Sequence, residues 1–346
     1  MSIVEKPFEP AGRAWLAGTL PRLVRESGLG APARVARTLR AHGPAGVLAE
    51  IGRIEGGHGK RVYFAELFKT PLDPAIARRA LDQASRDIES DYELASLLVS
   101  SAHLITNDAT ARSYVDASST IGSDYEQRRV LAAALKNGSV RPEVLASVLV
   151  RAASIESDYE LASLLLEIAN LYALDATSRG PFFTALDSVE SDYEHGRVLS
   201  ALAGRDGLSS ETLVAMLRSS AGVGSDYEQA QFLQKVARRH PIAAPLRGAF
   251  FTAIDQVDSS FERGRVLEAV VRRPDTDAET LAAALRATAS MAGAHERSQV
   301  MLAAAASHPI AGAAHRAYLQ AADRLPDFEQ GQVLRALVRN ETRSKN

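Results

Sequence analysis

The chain has 346 residues, a formal net charge of −2 and a pI near 6.5, so it carries no overall field for nucleic acid or an anionic membrane. Apolar residues make up 46% and aromatics only 6%, which excludes general disorder and points to closely packed helices with small and medium aliphatic cores. There is no cysteine, hence no disulfide or thiolate metal site, and no apolar run of about 18 residues that could span a membrane.

The N-terminus, MSIVEKPFEP, lacks the basic-then-apolar pattern of a leader. As it stands the chain is expected in the cytoplasm, or in the periplasm if it is a piece of a larger envelope protein. Residues 9–25 and 31–42 are predicted as two helices outside the repeat register described below, making 1–43 an N-terminal cap. The basic residues there (Arg13, Arg22, Arg25, Arg34, Arg37, Arg40) are expected on solvated helix faces.

From residue 44 to about 340 the chain is periodic. The tetrapeptide SDYE occurs with its tyrosine at Tyr92, Tyr125, Tyr159, Tyr193 and Tyr227, spaced 33, 34, 34 and 34. The register continues through Phe261, His295 and Phe328, and backwards to His58 in a degenerate first unit whose first helix is supplied by GPAGVLAEIGRIEG. Nine units with a period near 34 are the signature of a solenoid in which each unit is one supersecondary element.

Counting from the tyrosine, apolar residues fall at −11, −7 and −4 (Phe182, Leu186, Val189; Phe250, Ile254, Val257) and at +5, +6 and +9 (Val198, Leu199, Leu202; Val266, Leu267, Val270). Both sets have the three-to-four spacing of one helix face. Breakers such as KNGSVRP, AGRDGLSS, RRHPIAAP, RRPDTDAE and SHPIAG separate the units. A unit is therefore predicted as helix A, a tight turn, helix B and a loop. Segments also match at 67–68 residues, as RGPFFTALDSV at 179 and RGAFFTAIDQV at 247, so pairs of units look like the duplicated element. The tail 341–346 is expected to fray.

SDYE falls at the start of helix B. Ser-x-x-Glu is the pattern of a capping box, and Asp and Glu in a first turn suit the helix dipole; each box contributes about 1 kcal/mol. Position +3 is small in every SDYE-register unit but one, where it is Arg128, which implies close approach of a neighbouring helix. Capping leaves the tyrosine unexplained, since it lies opposite the apolar stripe of helix B. Tyr92, Tyr125, Tyr159, Tyr193 and Tyr227 either pack against the next unit's turn or form a partner-binding row. Arg129, Arg197 and Arg265 stand at +4 beside them, where a guanidinium can stack on the ring one turn earlier. Tyr and Arg are the residues most often found at binding hot spots.

No catalytic, metal or cofactor constellation emerges. His295-Glu296 begins like a zinc-peptidase helix, but the second ligand position is Gln299. His240 and His308 occupy equivalent loop positions before a proline and read as turn residues carried along by duplication. GLGAPA at 28–33 lacks the Lys-Ser/Thr of a phosphate loop, and no Gly-x-Ser-x-Gly elbow is present. A nucleic-acid-reading repeat shows a continuous basic column, whereas +4 holds only three arginines in eight positions, next to acidic SDYE turns.

The 34-residue helix-turn-helix period resembles tetratricopeptide and HEAT-like solenoids, without the tryptophan and Leu-Gly of the tetratricopeptide pattern. The SDYE…VLxAL units resemble more closely the helical repeat region of some bacterial envelope proteins, over residues 12–340. In some of those the region follows a membrane zinc-peptidase domain of the beta-lactam-sensor antirepressor type, which this sequence does not contain. The resemblance implies a soluble ligand-sensing or scaffolding arm. The expected fold is an all-α, right-handed α-solenoid. The expected function is a non-enzymatic scaffold for a protein or peptide partner, the alternative being a regulatory arm of a larger envelope protein.

Overall fold

The computed structural model describes residues 8–136 and 141–345, so the predicted breaker at 136–142 lies partly outside the described residues. Among the described residues there are nineteen α-helices and no strand. Helix α1 (Arg13–Glu26) and the first part of α2 (Ala31–Ile51) precede the repeats. Gly43, at φ 63°, interrupts α2 just before Pro44, where a residue with a Cβ would be strained, and the part after it is the first helix A.

The hairpins follow in the predicted register. The first helix B is α3 (Gly57–Phe68). Then come α4 (Pro74–Asp87) with α5 (Asp91–Ser100), and α6 (Asp108–Ala117) with α7 (Asp124–Lys136). Next are α8 (Pro142–Ala152) with α9 (Asp158–Leu171), and α10 (Ala176–Leu186) with α11 (Asp192–Ala203). Then α12 (Ser210–Ser219) pairs with α13 (Asp226–Arg239), and α14 (Leu246–Ile254) with α15 (Ser260–Val271). The last are α16 (Ala278–Ala289) with α17 (Ala294–Ser307), and α18 (Gly312–Ala322) with α19 (Asp327–Lys345). The helix α19 thus runs on through the segment expected to fray.

The chain divides into two compact units, Met1–Leu164 and Leu165–Asn346. In the first, A helices pack on A helices (α4 on α6, α6 on α8) and B helices on B helices (α3 on α5, α5 on α7). The second repeats the arrangement, with α10, α12, α14, α16 and α18 in one layer and α11, α13, α15, α17 and α19 in the other. This two-layer stacking of sequential hairpins is the packing of a helical-repeat solenoid. The apolar stripes meet between the layers: Phe182, Leu186, Phe250 and Ile254 from A helices, and Val198, Leu199, Val266 and Leu267 from B helices, are all fully buried. Each such side chain contributes roughly 1.5–3 kcal/mol.

Candidate functional site

The SDYE turns are the repeated polar feature, and their serine, aspartate and glutamate each make a different contact. The serine is the N-cap of helix B. In five of the turns its Oγ accepts from the backbone N–H three residues on, from Glu93, Glu126, Glu160, Glu194 and Glu228 to Ser90, Ser123, Ser157, Ser191 and Ser225, each at 3.4 Å. The reciprocal half of the expected capping box is not formed by the glutamate. The serine N–H instead donates to the aspartate of the preceding hairpin: Ser123 to Asp91 at 2.8 Å, Ser157 to Asp124 at 2.7 Å and Ser259 to Asp226 at 2.8 Å. The same carboxylates accept a second N–H from Gly122, Glu156 and Asp258, and Asp192 accepts from Gly224 at 2.7 Å. The aspartate is therefore a clamp between consecutive hairpins. True capping boxes occur instead at helix A starts, at Asn107–Thr110 and Asp175–Ser178.

Both ends of the repeat array use substitutes. Before the first helix B, Glu26 accepts from Glu55 N–H and Gly56 N–H, the latter at 2.8 Å. Burial pushes its carboxyl upwards, but these two N–H groups and the nearby Arg22 and Arg25 outweigh that and hold it below the usual carboxylate range. Ser260 replaces the aspartate in α15 and accepts from Gly293 N–H at 3.1 Å. At the last joint the aspartate position is Ala294 and the serine position is Pro326, which has no N–H to offer.

The glutamate packs against position +3 of the preceding helix B. Arg61 bonds Glu93 and Arg128 bonds Glu160 across the hairpins. Where +3 is glycine, a Cβ would meet the next hairpin's glutamate: one at Gly196 would stand 3.1 Å from Glu228 Cβ, and one at Gly264 3.2 Å from Glu296 Cβ. The small +3 column is thus the seat of the next turn. In the alternate units the glutamate pairs with its own +4 arginine: Glu126 with Arg129 at 2.5 Å, Glu194 with Arg197 at 2.6 Å and Glu262 with Arg265 at 3.1 Å. The pairing thus recurs in every second unit.

The tyrosine rings face solvent. Tyr92, Tyr125, Tyr159, Tyr193 and Tyr227 are 52–62% exposed, and Phe261 and Phe328 in the same column are 61% and 70% exposed. In the first unit the row comprises Tyr92, Tyr125 and Tyr159; in the second, Tyr193, Tyr227, Phe261 and Phe328. The expected stacking is seen for Arg129 on Tyr125 and for Arg265 on Phe261, each 5.8 Å from the ring centroid. Arg128 also sits 5.6 Å from the Tyr125 ring. The three site arginines are each paired to a carboxylate within one turn, so the +4 column is not a stripe of uncompensated cations.

Three histidines that follow helices B tie back to the end of the preceding helix B. His103, His240 and His308 place Nε2 at 3.0, 3.0 and 2.8 Å from the carbonyls of Phe68, Ala203 and Val271. Those carbonyls end the preceding helices B, where such groups lack intrahelical partners. His240 and His308 are thus structural caps, in keeping with their reading as turn residues. His295 is exposed in the aromatic column, and no cluster of three or more His, Asp or Glu side chains suited to a metal occurs among the described residues.

One chain of groups escaped the sequence reading. Ser219 Oγ donates to Asp187 at 2.5 Å and lies 3.0 Å from His195 Nε2. The serine stands between the other two and its proton goes to the carboxylate, the reverse of the order a nucleophile needs. Burial lowers the His195 pKa, against the opposing influence of Asp187, the Val189 carbonyl and Asp192. The trio ties α10, α11 and α12 together. Because its members are 8 and 24 residues from His195 and occur in no other repeat, no local motif announces it.

No helix among the described residues is long and apolar enough to cross a membrane. No protein-family model matches the chain, and no curated protein matches its sequence.

Proposed function

We propose that the protein is a non-enzymatic repeat scaffold that binds a protein or peptide partner along its rows of exposed aromatic rings. The observation that supports this reading is that the ring is more than half exposed in all five SDYE turns. Serine caps, aspartate clamps and glutamate packs or pairs, while the tyrosine stands in solvent at the same place in successive repeats. Large rigid rings flanked by arginine give contact area at low entropic cost, which is the composition of hot spots. Nucleic acid fits this surface poorly, because each arginine beside the rings is already compensated by a glutamate.

The test uses the double variant Tyr193→Ala/Tyr227→Ala as bait beside the parent chain, with bound proteins compared by quantitative mass spectrometry. A specific partner should be recovered at least about tenfold less well on the variant, with the melting temperature unchanged. Equal recovery, or a steep fall in melting temperature, would assign the rings to packing. A second reading rests on the likeness of the SDYE…VLxAL units to repeat regions of bacterial envelope proteins. In it the same rows are the ligand-facing side of a sensory arm, and a catalytic domain encoded in the same reading frame would favour it.

A further inference from the structure

A cleft of about 440 Å³ lies between α13 and α15 in the second unit. Its polar lining is almost entirely hydrogen-bond donors: Gln234, Arg238, Arg265, Arg272 and Arg273, with Glu268 the one carboxylate. Three of the arginines are internally matched. Arg265 pairs with Glu262 at 3.1 Å, Arg272 with Glu268 at 2.9 Å and Arg273 with Asp275 at 2.6 Å. Arg238 bonds only the neutral Oε1 of Gln234, at 3.3 Å, and meets no carboxylate among the described residues.

Gln234 is the unusual member. It is 3% exposed, and its Nε2 has no hydrogen-bond partner. Buried amide nitrogens are rarely left so, because their lost hydration is not repaid. Turning the amide over would not help, since Nε2 would then face the guanidinium of Arg238, donor against donor. The Arg238 contact therefore fixes the amide with its donor unused, beside a guanidinium whose charge is also unused.

We infer that this cleft is a subsite for one carboxylate of an acidic peptide, which accepts from Gln234 Nε2 and Arg238. After the internal pairs are counted, one positive charge remains, which suits a monoanion better than a dianion such as phosphate. Ala269 and Pro274 supply apolar wall for the methylenes of an acidic side chain. The subsite deepens the scaffold reading and rests on it. Tyr227 lies seven residues before Gln234 on α13, and Phe261 lies four before Arg265 on α15. Seven residues of helix rise about 10 Å, which an extended peptide covers in about three residues. The partner segment therefore carries an aromatic or apolar residue, seated at Tyr227 and Phe261, and an acidic residue about three positions away.

The experiment is a ¹⁵N-edited titration of the full chain, following the Gln234 side-chain amide. The probe is the peptide Tyr-Gly-Gly-Glu, acetylated and amidated so that glutamate carries its sole carboxylate. A saturable shift of that amide is expected, with affinity weakened at least about tenfold when the probe's glutamate becomes glutamine or when the protein carries Arg238→Ala; Gln234→Leu, followed through the backbone amides of α13 and α15, should show the same loss. Leucine fills the same volume and removes the idle donor, so Gln234→Leu should also melt higher than the parent. If it does not fold, the exposed Arg238→Ala decides. Absence of a saturable shift up to about 10 mM probe, an equal response to the glutamine probe, or tighter binding of inorganic phosphate would overturn the assignment. The titration needs no natural partner, so it fails or succeeds independently of the capture experiment with Tyr193→Ala/Tyr227→Ala.

Discussion

Asp226 is half-buried, and its two oxygens hold the N–H groups of Asp258 and Ser259 at 3.0 and 2.8 Å. Bonds to a charged acceptor are worth more than neutral ones, but these N–H groups can be rehydrated once the acceptor is gone. Asp226→Ala should therefore destabilise by about 2 kcal/mol in urea denaturation, and Asp226→Asn by less. The last joint provides the converse. Ala294→Asp alone should add nothing, because Pro326 offers no proton. Combined with Pro326→Ser it should show a favourable coupling of about 1 kcal/mol in a double-mutant cycle, and a coupling of zero would reject the clamp. Half of this was legible in the sequence. The serine cap follows from a local rule, and the structure contains it. The acceptor of the serine N–H lies 32 or 33 residues upstream, beyond any capping rule, so the glutamate was assigned a bond that the previous hairpin's aspartate makes. The joint loss of aspartate and N–H at Ala294 and Pro326 was the signal that could have exposed it.

Between elements, the small residues at +3 announce close approach but not what approaches. It is the next turn's glutamate, and its surroundings differ from joint to joint. Glu93 and Glu160 meet the guanidinium groups of Arg61 and Arg128, whereas Glu228 sits against Gly196. Burial, and then the charge of Asp192, raise the Glu228 pKa above its ordinary value of 4.5. A raised carboxyl pKa means that the fold favours the protonated form. Ionised Glu228 therefore costs stability at neutral pH, and that cost disappears as the pH falls through its folded-state value toward 4.5. Glu228→Gln should accordingly melt above the parent at pH 7, with the gap closing by about pH 4. Glu160→Gln should melt lower at pH 7, because it strands Arg128. Equal effects of the two changes would show that the +3 residue does not set the energetics of the joint.

On the scale of the molecule, the all-helical repeat was the most legible property, because a 34-residue register with two apolar stripes admits few other folds. The cleft between α13 and α15 was illegible, because Gln234 and Arg238 are ordinary helix residues until a neighbouring helix buries one and leaves the other without an anion. The ties at each joint, which are the aspartate clamp, the seated glutamate and the histidine or arginine on the preceding helix end, all join residues roughly one repeat apart. A fold held in this way has nearest-neighbour energetics, so losing the last two hairpins uncovers one interface of the retained part and leaves its others intact. A chain ending at Asp275 keeps α15 with the Arg273–Asp275 pair and the Arg273 bonds to the carbonyls of Ala237 and Arg238. It forfeits the Gly293–Ser260 and His308–Val271 bonds and leaves Gly264 uncovered. This fragment should retain far-UV helicity in proportion to its length and melt below the parent, with the newly terminal α15 exchanging its amide hydrogens first. Collapse of helicity throughout the fragment would mean that stability is shared over distances longer than one repeat.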